Sequence, residues 1–141
     1  MNLDNSSPNI IQANIQLSIL FVDDTLGWLE VMKRILEKEG NWHVQTCQKP
    51  DEAYQFLINQ KFDIIISDYN MNKINGIDFF RSLRQKGIKT PFILYSCYSK
   101  EEILKIKIDD EKFYFFQKTG NIVQFIKSVH NIINDDFNIA L

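Results

Sequence analysis

Five short apolar runs alternate along this chain with segments of helical periodicity, and four of the runs close on polar residues. The runs are Leu17 to Val22, followed by Asp23 and Asp24; Trp42 to Cys47; Phe62 to Ser67, closing on Asp68; Thr90 to Tyr95, closing on Ser96; and Phe113 to Gln117, closing on Lys118. Between them, Trp28, Val31, Met32 and Ile35 recur at i, i+3, i+4, i+7, with Gly40 at the C′ position. Pro50 opens a second helix through Ala53, Phe56 and Leu57. Ile77, Phe80 and Leu83 mark a third, closed by Gly87; Lys100 to Ile108 a short fourth; Ile122, Ile126, Val129 and Ile133 a fifth. Apolar strands alternating with helices form a parallel sheet covered on both faces, joined by right-handed crossovers. The expected fold class is therefore α/β: a doubly wound five-stranded parallel sheet with five helices.

The 141 residues suit one domain. Residues 1–16 read as a flexible arm or linker, 17–135 as the folded domain and 136–141 as a tail. Sixteen Lys+Arg against 18 Asp+Glu leave a net charge of −2, which argues against direct binding to nucleic acid or a membrane. No apolar run approaches the ~18 residues of a membrane span. The first basic residue is Lys33, so no secretory or transit signal is expected, and the chain is expected in the cytosol. Cys47 and Cys97 lack metal-ligand spacing and are expected as free thiols, Cys97 as a small buried filler. His43 and His130 are expected at the surface without a chemical role.

In such sheets functional groups collect beyond the carboxyl ends of the strands. That edge would gather Asp23, Asp24, Asp68, Ser96 and Lys118. Three converging carboxylates repel one another, and a divalent cation relieves this. Mg²⁺, with Mn²⁺ as the alternative, prefers oxygen ligands and keeps several waters. Lys118 supplies a point charge for Asp68 or for a phosphoryl oxygen, and the Ser96 hydroxyl can donate to the same oxygen. The set makes a site for a dianion beside a metal, with a carboxylate as nucleophile. Taken singly, each residue has a plainer reading: a helix cap for Asp23-Asp24, a strand-end hydroxyl for Ser96, a surface lysine for Lys118. Their joint placement outweighs those readings.

From Leu17 to about residue 135, the chain resembles the receiver domains of two-component response regulators. The resemblance rests on Asp23-Asp24, Ser67-Asp68-Tyr69-Asn70-Met71, Gly76, Ser96 and Lys118, in the family's order. It implies a flavodoxin-like strand order 2-1-3-4-5. It also implies Asp68 as phosphoacceptor for a histidine kinase or phosphotransfer protein. Asp24 and Asp68 would bind Mg²⁺ directly, Asp23 through water, and the main-chain carbonyl of Asn70 would complete the set. Ser96 and Lys118 would hold phosphoryl oxygens, and Phe115 would be the switch aromatic that moves with Ser96. Asn70 and Tyr98 would flank the path of the hydrolytic water. The fourth helix, fifth strand and fifth helix would carry the output partner or a homodimer.

The chain also departs from the pattern. Asn72 follows Met71, Cys97 follows Ser96, and Asp109 to Lys112 precede the fifth strand. Thr119 stands where the family has a proline on a cis bond. A non-proline cis bond costs ~2.5–4 kcal/mol, so the loop can turn trans there, and the sequence leaves cis and trans both open. Two other functions fit parts of the set. One is a pseudo-receiver that binds partners without phosphorylation. The other is an aspartyl-phosphate phosphatase of the haloacid-dehalogenase type, although that chemistry wants an acid two residues after the nucleophile, where Asn70 stands.

Overall fold

The computed structural model describes residues 16–105, 107–118 and 121–140, and the expectation of an arm over residues 1–16 falls almost wholly outside them. The order is β1 (Ser18–Val22), α1 (Leu26–Gly40), β2 (His43–Cys47), α2 (Pro50–Asn59), β3 (Ile64–Asp68), α3 (Gly76–Gln85), β4 (Phe92–Ser96), α4 (Lys100–Ile103), β5 (Phe113–Gln117) and α5 (Ile122–Ala140). All strand pairs are parallel, in the order β2-β1-β3-β4-β5. The expected architecture and strand order are both present.

Period-two alternation divides the strands between two cores. Ile19, Phe21, Ile64, Ile66, Ile93 and Tyr95 face α1 and α5, where Leu29, Met32, Leu36, Phe125 and Val129 meet them. Leu20, Val22, Ile65, Phe92 and Leu94 face the other way, toward Ala53, Phe79, Phe80 and Leu83. Each fully buried large side chain contributes about 1.5–3 kcal/mol. Because both faces are covered, only the strand ends are left for chemistry.

Side-chain caps mark the starts of α3 and α4. The Asn75 side chain accepts from the Asp78 N–H (2.9 Å), and Ser99 with Glu102 forms a reciprocal capping box. Three boundaries differ from the sequence reading. Gly40 is the last residue of α1, and Asn41 (φ 55°) takes the left-handed position beyond it; a Cβ on Gly40 would strike the Trp42 ring. α4 ends at Ile103 rather than Ile108. Leu104 already leaves helical backbone geometry (φ −93°, ψ 76°). The segment is then tied down by Arg84, whose guanidinium donates to Asp110 (2.9 Å) and to the Ile88 carbonyl (2.8 Å). α5 continues to Ala140, past the boundary expected at residue 135.

β2 is an edge strand, and side chains meet three of its outward-facing groups. Glu37 accepts from the Val44 N–H (3.1 Å), Lys33 donates to the Val44 carbonyl (2.8 Å), and Gln45 donates to the Thr46 carbonyl (3.1 Å).

Candidate phosphorylation and metal site

The sheet register brings the polar strand ends to one edge. Val22 pairs with Ser67, Asp68 with Tyr95 and Ser96 with Gln117, so each following residue emerges at the same level. Asp23 is 1% exposed. Its main-chain N–H still bonds the Cys47 carbonyl, while one side-chain oxygen accepts from the Thr25 N–H (2.9 Å). Asp24 is half-buried and Asp68 sits at the end of β3. One carboxylate oxygen from each of the three lies within 4.8 Å of the other two.

Lys118 closes the cluster from the far side. Its ammonium donates to Asp23 Oδ2 (3.1 Å) and Asp68 Oδ1 (3.2 Å), and its main-chain N–H donates to the Ser96 carbonyl (2.6 Å). Asp68 Oδ1 also accepts from the Tyr69 N–H (2.8 Å). Burial pushes the Asp68 carboxyl above its ordinary pKa; Lys118 pulls against this and the charge of Asp23 adds to it. Burial pulls on Lys118 in the neutral direction, but Asp68 and Asp23 outweigh it and hold the ammonium above the usual lysine value. Three acids and one lysine leave a formal charge of −3 + 1 = −2, which one divalent cation would neutralise. All-oxygen donors with a gap between them fit Mg²⁺.

The remaining candidates surround this cluster. Ser96 is buried, and its hydroxyl oxygen accepts from the Tyr98 N–H (2.9 Å). Asn70 is exposed in the β3–α3 loop. That loop is drawn in by the Gly76 N–H on the Tyr69 carbonyl (2.7 Å), at a position where a Cβ would press on the Asp68 carbonyl oxygen and Leu94. Tyr98 is 42% exposed and meets the Tyr69 ring edge-on at 6.1 Å. Phe115 is half-buried and lines a groove of about 480 Å³ with Lys100, Leu104, Ile108 and Phe113. Thr119, and with it the geometry of the Lys118–Thr119 bond, falls outside the described residues.

Two cysteine readings divide. Burial, with a further push from Glu52, raises the Cys47 thiol to about 12, so it is an inert core group. Cys97 is exposed, not buried filler, because the chain has already left the sheet one residue earlier. Sequence reasoning also missed two aromatic rings beside Lys118, those of Trp28 and Tyr95. The helical spacing places Trp28 one turn beyond the acid pair, close enough to report on the site, but gives no sign that its ring reaches Lys118.

The family model for the response regulator receiver domain matches residues 19–130. Among curated proteins, the chain is 26% identical to the hydrogenase transcriptional regulatory protein HoxA of Cupriavidus necator, over 70% of this chain and 20% of that protein. It is 28% identical to hybrid signal transduction histidine kinase D of Dictyostelium discoideum, over 94% of this chain and 9% of that one. The chain thus spans a fifth or less of the length of these relatives. Solved structures with the same fold include response regulator TrrA of Thermotoga maritima in complex with Mg²⁺-BeF (TM-score 0.70, 24% identity, 83% of this chain and 99% of that one). Chemotaxis protein CheY4 of Vibrio cholerae is another (TM-score 0.72, 24% identity, 84% and 99%).

Proposed function

This chain belongs to the response regulator receiver domain family, and from that premise we propose that it is a phosphorylation switch with Asp68 as phosphoacceptor. The observation that carries the reading is the Lys118 ammonium shared between Asp23 and Asp68 at the C-terminal edge of the sheet. The site holds a nucleophile, a cation and a carboxylate set at once.

The donor is a phosphohistidine on a histidine kinase or phosphotransfer protein in the cytoplasm. An Asp68 carboxylate oxygen forms a bond to phosphorus as the histidine nitrogen–phosphorus bond breaks, and the leaving imidazole takes a proton from solvent. Asp23, Asp24, Asp68 and the Asn70 carbonyl would hold Mg²⁺, whose role is to neutralise the phosphoryl charge. Lys118 would exchange a carboxylate partner for a phosphoryl oxygen. Ser96 would turn its hydroxyl to donate to another, giving up its bond from the Tyr98 N–H. Phe115 would follow into the space this vacates. The groove lined by Lys100, Leu104, Ile108, Phe113 and Phe115 lies on the α4–β5 surface, where the output partner or a second copy would bind.

The test is intact mass after incubation with Mg²⁺ and phosphoramidate. One added phosphoryl group is expected on the parent chain and none on Asp68→Asn or with chelator present. No addition to the folded parent would indicate a pseudo-receiver. Sustained phosphate release without a stable adduct would indicate a phosphatase.

A further inference from the structure

The Lys118 ammonium lies 5.4 Å from the centroid of the Trp28 ring and 5.5 Å from that of Tyr95, while two of its donors serve Asp23 and Asp68. The rings stand 6.3 Å apart and tilted by 34°, so they form an open fork around the ammonium. Both distances fall within the ~6 Å reach of a cation–π attraction, which is stronger where water is displaced. The fork is itself held. Tyr95 is 4% exposed, stacks on Phe125 of α5 at 4.3 Å and 9°, and meets Phe21 edge-on at 6.4 Å. Trp28 comes from α1, one turn beyond Asp24.

We infer that Trp28 and Tyr95 are positioning residues for phosphoryl transfer, their ring faces fixing the Lys118 ammonium between Asp23 and Asp68. A lysine side chain has four rotatable bonds and a mobile point charge. Two carboxylates on one side leave it free to follow whichever is nearer. The two rings add contacts that do not depend on either carboxylate, so the ammonium is held near Asp68 even when a carboxylate partner is exchanged for a phosphoryl oxygen. Neither ring touches the reacting atoms. Their effect passes through Lys118, and the kinetic arm of the inference rests on the proposed phosphorylation of Asp68.

The experiment compares Trp28→Phe with Trp28→Leu, and Tyr95→Phe with Tyr95→Leu, by two readouts. The first is the chemical shift of the Lys118 side-chain protons nearest the ammonium. In the parent and the Phe variants these are expected upfield of ordinary lysine from the ring currents, and Trp28→Leu should move them back. The second is the rate of labelling by phosphoramidate with Mg²⁺. Trp28→Leu should slow it about 3- to 10-fold and Trp28→Phe should restore most of the loss. Trp28→Leu keeps the argument testable if Tyr95→Leu, at a buried stack, does not fold. Ordinary lysine shifts in the parent would overturn the inference, whether or not the parent is labelled. So would equal labelling rates for Trp28→Leu and the parent, or a Phe variant as slow as the Leu one. An unlabelled parent with upfield Lys118 shifts would instead refute the proposed phosphorylation and leave the fork standing.

Discussion

Replacing Lys118 with methionine keeps an unbranched side chain one atom shorter and removes its charge, which tests the role of the ammonium. In the parent, Asp23 is 1% exposed, and the Lys118 and Asp68 side chains are 15% and 13% exposed. The variant leaves Asp23 with only the Thr25 N–H and Asp68 with only the Tyr69 N–H among the contacts described above. Removing one partner of a buried ion pair costs about 3–5 kcal/mol. This cluster opens to solvent beside Asp24, so the lower end applies, about 3 kcal/mol at neutral pH. For a domain of this size that is a fall of about 10 °C in Tm. The pH dependence carries a sign. Burial already holds the Asp68 carboxyl above its ordinary pKa, and without the ammonium nothing in the pair pulls it back, so Asp68 takes up a proton more readily folded than unfolded. The variant therefore gains stability as pH falls through the region just above ordinary carboxylate values. Lys118 in the parent is held above the usual lysine pKa, so its contribution is whole below that value and is lost as pH rises through the higher folded one. The gap between parent and variant should thus be widest between about pH 6 and 10 and narrow on both sides. Urea and thermal unfolding in chelator, across pH 4 to 11, measures it. A second substitution, Asp23→Asn, should recover most of the loss in the variant. A gap below about 1 kcal/mol at pH 7, or one that does not change with pH, would refute the reasoning.

Three further outcomes are expected. In the parent chain Mg²⁺ should raise Tm, by about 2.7 kcal/mol of added stability at a hundredfold excess over its Kd; Asp24→Ala should lose this and Glu30→Ala keep it in a thermal titration. Gly76→Ala forces a Cβ against the Asp68 carbonyl oxygen and Leu94, and should cost about 1–3 kcal/mol in urea unfolding while slowing labelling of Asp68. Tyr98→Ala should speed loss of phosphate from Asp68 several-fold, about 1 kcal/mol of barrier, because the Tyr98 ring beside Tyr69 restricts water; a time course of phosphate release decides it.

The site residues were legible because strand ends are legible. An acid directly after Ile64 to Ser67 has few structural uses, and Asp23, Ser96 and Lys118 each stand just beyond another apolar run. The alternation pointed to a parallel sheet covered on both faces; its order 2-1-3-4-5 came from the resemblance alone. What escaped the sequence depends on distances between elements. The end of α4 was partly legible: Lys100 to Ile108 reads as one short helix, the unusual Asp109 to Lys112 before β5 points to a shorter one, and the structure ends it at Ile103. Cys97 was expected to be buried because free cysteines are small and usually buried; it is exposed because β4 ends at Ser96, one residue earlier. The aromatic fork joins residues from α1, β4 and the end of β5, separated by up to ninety positions, and no local pattern marks such a meeting.

The side-chain bonds on the rim of β2 bear on how copies of this chain behave when crowded together. A strand from a neighbour adding at Val44 would have to break the Glu37 and Lys33 bonds before forming its own, and would meet the 3.6 Å ion pair between those two side chains. One border of the sheet is therefore sealed against templated growth into fibres. The barrier is made by two side chains of α1, on the strand farthest in the sheet from β5.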